Sequence, residues 1–213
     1  MRCKCNGLME RILKPEHVED LGGLVVKVLN AVVVQRCSAC GEEMVGIPDL
    51  QGLTRAAAMA RALNPARLSG KEARFIRRAL DMIQKDFANA MELLHEHVSR
   101  WENDHKGLGG AGEKLVRHNV CALLHKEGIC DYDPKAIANM EFTPFPEEGL
   151  PPVEMVSVRV QHRTGRRRNH MERGRLIVAS LNYREPTATL RGVSVAAARG
   201  HRRADVRPSW RSP

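Results

Sequence analysis

Two pairs of cysteines constrain this chain more than any other feature in it. Cys3 and Cys5 form a C-x-C pair, Cys37 and Cys40 a C-x-x-C pair, and 31 residues separate them. A short turn of this kind aims two sulfurs at one point. Two such turns make a tetrahedral thiolate cage that suits Zn2+, an ion that imposes no further geometry. Gly41 follows the second pair, where a knuckle often needs positive φ. A bound ion would also supply folding energy to a ribbon with little core of its own. C-x-C is the tighter and rarer spacing, so His17 stands as a substitute ligand should one of Cys3 and Cys5 not bind. The same residues stay open to two other readings: buried apolar cysteines, or a redox dithiol at Cys37 and Cys40. Cys121 falls on the apolar stripe of a helix and is expected in the core, and Cys130 sits in a loop without an assigned role.

The stretch between the pairs is β-branched around a Gly22–Gly23 turn signal, which predicts short antiparallel strands and a small ribbon over 1–47. Residues 48–68 are Ala-rich and read as a linker helix, stopping before Pro65 because the residue preceding a proline disfavours helical dihedrals. Ser69 with Glu72 is a capping-box signature for a further helix. Phe75, Ile76, Ala79, Leu80 and Ile83 then recur at helical spacing. After the "GLGGAG" stretch, Leu115, Val116, Val120 and Leu123 make the stripe of a last helix near 113–124. Residues 126–161 read as a Pro- and acid-rich connection ending in a short strand, with Val156, Val158 and Val160 alternating. With aromatics at 4%, a mainly α chain is expected rather than a large sandwich.

Charge marks the last boundary. Residues 1–149 hold 20 Lys/Arg and 21 Asp/Glu, whereas 150–213 hold 14 basic residues, all Arg, and 4 acidic ones. The overall charge of +9 therefore comes from the tail. Residues 162–213 lack a period and read as a disordered basic tail able to bind nucleic-acid backbone without sequence preference. No apolar run reaches membrane length, and "MRCKCNGLMER" has no signal-peptide core, so a cytoplasmic protein without a membrane span is expected.

From Gln84 to Trp101 the spacing fits two helices joined by a tight turn, with Ile83, Phe87, Ala88, Met91, Val98 and Trp101 facing inward. Such a unit offers its second helix to the major groove of DNA. The exposed residues of that helix are His95, Glu96, His97, Ser99 and Arg100, and Lys85 is a candidate for phosphate contact. The stretch "IQKDFANAM…VSRWEN" resembles the Cro-type (XRE) helix-turn-helix. Joined to a cysteine segment ending "CSACGE", residues 1–125 resemble the MqsA/YgiT-type zinc-finger antitoxins and their regulator relatives.

The resemblance implies a five-helix XRE domain over 69–125, a homodimer on double-stranded operator DNA, and repression of its own operon. In true antitoxins it implies a cognate toxin held at the zinc ribbon. It makes Cys3, Cys5, Cys37 and Cys40 the zinc ligands, Gln84 a phosphate contact, and Trp101 and Glu102 structural residues. Two positions depart from the pattern: Glu92 stands where the turn usually has Gly, and Leu94 where the second helix usually has a Ser/Thr cap. Each departure costs about 1 kcal/mol.

Three function classes follow: a sequence-specific repressor, a protein-binding module that neutralises a toxin with little DNA binding, or an enzyme. The enzyme is disfavoured. The chain has no phosphate loop, no H-E-x-x-H and no nucleophile elbow, and four thiolates would close a zinc site against substrate.

Overall fold

The computed structural model describes residues 2–47, 49–126, 132–158 and 175–177. The first two strands, β1 (Met9–Asp20) and β2 (Val25–Cys37), are 12 and 13 residues long rather than short. Their turn is closed by Asp20, whose carboxylate accepts from the N–H groups of Gly22 (2.9 Å) and Gly23 (3.1 Å). Gly23 is obligatory there: at φ 136°, a Cβ on it would lie 2.7 Å from the Lys71 carbonyl oxygen. The hairpin tip is thereby seated on the start of a helix.

β2 is the spine of the sheet. One edge pairs antiparallel with β1 along its length, with a bulge opposite Pro15. Asn30 takes φ 52° at that bulge. Proline has no N–H to donate, which suits an edge strand that skips a rung. The other edge of β2 changes partner at the same place. Val33–Arg36 pair antiparallel with β3 (Glu43–Gly46), whereas Val26–Leu29 pair parallel with β4 (Val153–Val158). β4 in turn pairs antiparallel with β5 (Arg175–Ile177). The expected strand after residue 152 therefore forms over Val153–Val158 and is a full member of the N-terminal sheet. Residues 159–160 and the tail outside Arg175–Ile177 lie outside the described residues.

Six helices complete the described fold: α1 (Leu50–Leu63), α2 (Gly70–Ala79), α3 (Gln84–Ala90), α4 (His95–Glu102), α5 (Gly110–Lys126) and α6 (Pro134–Ala138). α1 stops at Leu63, with Asn64 extended before Pro65, as the proline predicts. It does more than link. Leu53, Met59 and five alanines are buried in one core with Val26, Val28 and Val32 of the sheet and Phe75, Val116 and Val120 of the helices. A helix apolar on all sides belongs in a core. Here the apolar residues are mostly alanines, so neighbours approach closely without a conspicuous stripe.

The capping box forms as read: Ser69 Oγ accepts from Glu72 N–H (3.3 Å), and Glu72 accepts from Ser69 N–H (2.9 Å). Glu72 also takes a buried two-point ion pair from Arg61, at 2.5 and 2.9 Å. On α5, Arg117 is fully buried; it pairs with Glu113 at 2.7 Å and donates to the carbonyls of Ala62, Asn64 and Ala66. These cations satisfy the open C-terminal end of α1 and the chain leaving it.

Two expected core residues are not in the core. Ile83 is 63% exposed because it caps α3 instead of extending α2, and Leu115 is 44% exposed. Arg117, Cys121 and Leu124 occupy the inner face of α5 together with Val116 and Val120, a stripe turned away from Leu115. Cys121 is buried as expected. α6, inside the segment read as connection, starts at Pro134 with Asp133 capping the Lys135 N–H. Pro at the first helical position after Asp was its available signal.

Candidate metal centre and nucleic-acid interface

The first cysteine pair sits on a turn in which Asn6 N–H reaches the Cys3 carbonyl (2.9 Å) and Cys3 N–H reaches Gly7 (3.0 Å). Asn6 supplies the left-handed residue at φ 67°. The second pair begins at the last residue of β2, where Gly41 N–H returns to the Cys37 carbonyl (3.0 Å) at φ 74°. Ser38 ties the turns together by donating N–H and hydroxyl to the Leu8 carbonyl, at 3.0 and 3.2 Å.

This brings the Sγ atoms of Cys3, Cys5, Cys37 and Cys40 within 4.8 Å of one another. Two close separations cross the ribbon: Cys5 to Cys37 at 3.4 Å and Cys3 to Cys40 at 3.6 Å. Four sulfurs at about 2.3 Å from a tetrahedral ion would stand about 3.8 Å apart. The cluster therefore fits a metal ion with all four cysteines as ligands. His17 is elsewhere, on β1, with Nε2 at 2.9 Å from Glu19.

The four thiols are tuned unequally by their surroundings. Backbone N–H groups of Cys40 and then Ala39 hold the Cys37 thiol down to about 6. The Cys3 thiol is pushed up to about 12. The Cys5 N–H works against that rise, and the Glu42 carboxylate at 3.1 Å, burial and the Cys40 and Cys5 sulfurs outweigh it. Four thiolates this close do not share one site unless a positive charge stands between them. Gly7 is the residue that sequence reasoning missed. A Cβ there would lie 2.6 Å from Cys37 Sγ and 2.8 Å from the Ala39 Cβ. A glycine two residues after Cys5 was the signal.

The second candidate site is α3, its turn and α4. Phe87, Ala88, Met91, Val98 and Trp101 are buried as the spacing predicts. The turn keeps its shape without glycine. Glu92 takes φ 53°, Glu92 N–H reaches Asn89 (3.2 Å) and Leu93 N–H reaches Ala88 (2.8 Å), which is a Schellman motif. α2 ends the same way on Asp81 (φ 55°) and α4 on Asp104 (φ 56°). Three successive helices thus stop on left-handed carboxylate residues. We expect Glu92→Gly to raise stability by about 0.5–1 kcal/mol, read as a higher urea midpoint at unchanged slope. A lowered midpoint would mean that Glu92 holds an interaction worth more than its strain.

Lys85, His95, Glu96, His97 and Arg100 are exposed and Ser99 is partly exposed, all without a side-chain bond among the described residues. Gln84 is different. Its amide donates to Glu102 Oε2 at 2.8 Å, so it braces the motif from inside. Glu102 is buried and takes two bonds from Arg77, at 2.5 and 3.1 Å, and Arg74 stands 3.5 Å away. Two of the three arginines that make α2 look like a solvated basic face are thus turned inward, leaving Arg78 exposed. Burial alone would raise the Glu102 carboxyl. The bonds from Arg77 and Gln84, with the charges of Arg77 and Arg74, outweigh it and hold the group below the usual carboxylate range.

No described helix is long and apolar enough to cross a membrane. Comparison of the chain with protein-family models, with curated proteins and with solved structures returns no match.

Proposed function

We propose that this chain is a zinc-binding, sequence-specific, non-catalytic transcriptional regulator of antitoxin type, acting in the cytoplasm as a homodimer on an operator upstream of its own gene. Zinc is the reading of the metal because four thiolates in a closed tetrahedral set select it over hard cations. The observation that carries DNA binding is the contrast across α4. Val98, Trp101 and Glu102 are fully engaged inward, while His95, Glu96, His97 and Arg100 stand free on the outer side behind a tight turn. That is the arrangement of a recognition helix.

The test is binding of the full chain to the DNA just upstream of its gene, against scrambled DNA, across a salt series. We expect selective binding, and we expect Arg100→Ala to weaken it about tenfold without lowering the melting temperature. Equal binding to both DNAs would place the affinity in the Arg-rich tail and end the repressor reading. Unchanged selective affinity in the variant would remove Arg100 from the interface.

A second reading has its own support. The sheet around the metal centre exposes Leu8 (67%), Leu13 (58%), Val45 (48%), Ile12 (45%) and Met44 (42%). Ile12 and Val45, both paired with Val34, share one face of the ribbon and favour a protein partner there, a toxin in the antitoxin reading. The two readings coexist in one molecule, since ribbon and α4 are separate surfaces.

A further inference from the structure

We propose that two copies of this chain pair edge to edge through β1, antiparallel about a two-fold axis at Ile12. The inference rests on the homodimer of the reading above, names the surface on which its two copies meet, and needs no DNA.

β1 is an edge of the sheet: among the described residues it pairs with β2 alone, over 12 residues. The outer side of such a strand carries N–H and C=O groups without a neighbouring ladder, a template for another strand. Two features bound the usable stretch. Leu8 is already bridged to Arg2, so the open edge starts at Met9. At the other end Pro15 has no N–H, and the bulge behind it bends the strand away. Between these limits Glu10, Arg11, Ile12 and Leu13 are exposed and Lys14 is partly exposed. None of the three charged side chains has a hydrogen bond or ion pair among the described residues. Arg36, the cation across from Glu10 on β2, is held by Glu43 at 3.7 Å instead.

The order of the charges selects the occupant. A two-fold axis across an antiparallel pair keeps each face of the sheet on its own side, so a residue meets only residues of its own face. An axis at Met9 needs the stretch before it, where Arg2 stands. Axes at Glu10, Arg11 and Lys14 set like charges face to face, and an axis at Leu13 sets Glu10 against Glu16. The axis at Ile12 is free of such conflicts. Glu10 meets Lys14 of the second copy, and Lys14 meets its Glu10. Ile12 meets Ile12, and on the other face the stem of Arg11 lies along Leu13. Met9 falls against Pro15, where the pairing stops. A second copy is thus the strand that this edge fits. Pairing adds strands beside Ile12 and leaves uncovered the face that it shares with Val45. An edge this short buries little surface, so the dimer is expected to depend on concentration.

The experiment is sedimentation velocity of the full zinc-loaded chain without DNA, over a concentration series, for the parent, Glu10→Lys, Lys14→Glu and the double exchange. Neither side chain is bonded, so the variants should melt with the parent. We expect the parent to dimerise, each single variant to weaken the dimer about tenfold, and the double variant to restore it. The restoration is the decisive reading. Four residues along one strand span about 13 Å, so Glu10 and Lys14 of the same copy cannot reach each other and can compensate only between copies. A parent that stays monomeric throughout would overturn the proposal and leave operator binding to its own test. A dimer indifferent to the single variants, or not restored by the double one, would also overturn it and place the homodimer contact on another surface.

Discussion

A chain carrying Cys37→Ser is expected to lose the metal that the four-cysteine cluster could hold and, with it, the fold of the ribbon beyond Val33. Cys37 is the most enclosed of the four clustered cysteines, 2% exposed at the end of β2, against a glycine that leaves no room to rearrange. Serine offers a neutral hydroxyl in place of a thiol, so an ion held by the cluster would lose one of its four sulfur ligands. Structural zinc contributes on the order of 10 kcal/mol to small ribbons at neutral pH, and the sheet beyond Val33 has few other sources of stability. β3 is exposed along its length, as is most of β1. Val26 and Val28, by contrast, lie in the core shared with α1 and β4, so the helices should keep their melting transition.

Metal content by native mass spectrometry, with amide hydrogen exchange resolved along β2, reads both halves of the expectation. Protection should vanish over Val34–Cys37 and survive over Val26–Val32. One equivalent of metal retained by the variant would take Cys37 out of the ligand set. Cys121→Ser serves as the contrast: that thiol is buried on α5, apart from the cluster, and its replacement should leave the metal in place.

Glu102→Ala should be strongly damaging to the packing of α2, α3 and α4, costing about 3–5 kcal/mol. The loss does not come from the pair being strong in itself. Removing the carboxylate leaves the Arg77 guanidinium, 11% exposed, and the Gln84 amide without their shared acceptor, and a stranded cation costs more than the pair contributed. A double variant that removes both charges, Glu102→Leu with Arg77→Met, should recover much of the loss. Urea unfolding of the three chains tests this. A double variant no better than Glu102→Ala would show that packing, not the stranded charge, sets the cost.

The pH dependence has a definite sign. Glu102 is held below its unfolded value, which lies near 4.3. Its stabilisation is therefore complete above about pH 4.3 and is lost as pH falls through the lower value of the folded state. The parent should lose stability with acid in that window more steeply than Glu102→Leu/Arg77→Met, which has no such group.

Where residues act on their immediate neighbours, the sequence was a sufficient guide. A serine three positions before a glutamate forms its capping box between near neighbours, and Pro65 ends α1 through a clash with the residue before it. The four cysteines converge because two tight turns on adjacent strands leave sulfurs little else to do. The inward set Phe87, Ala88, Met91, Val98 and Trp101 follows from helical period and one short turn.

Tertiary structure decided what depends on a partner far along the chain. Asp81, Glu92 and Asp104 stop three helices in a conformation that favours glycine, because packing on either side of each turn outweighs about 1 kcal/mol of local strain. Arg74, Arg77 and Gln84 look like surface groups until Glu102 arrives beneath them, 18 to 28 residues later. An alanine-rich helix reads as a linker because its apolar surface is spread evenly. It becomes central only when the sheet and the other helices close on all its sides. The parallel pairing of β4 with β2 joins residues more than a hundred positions apart, and no local pattern records it. Local sterics and hydrogen bonds are written in neighbouring residues, whereas burial is a property of whatever surface the rest of the chain brings.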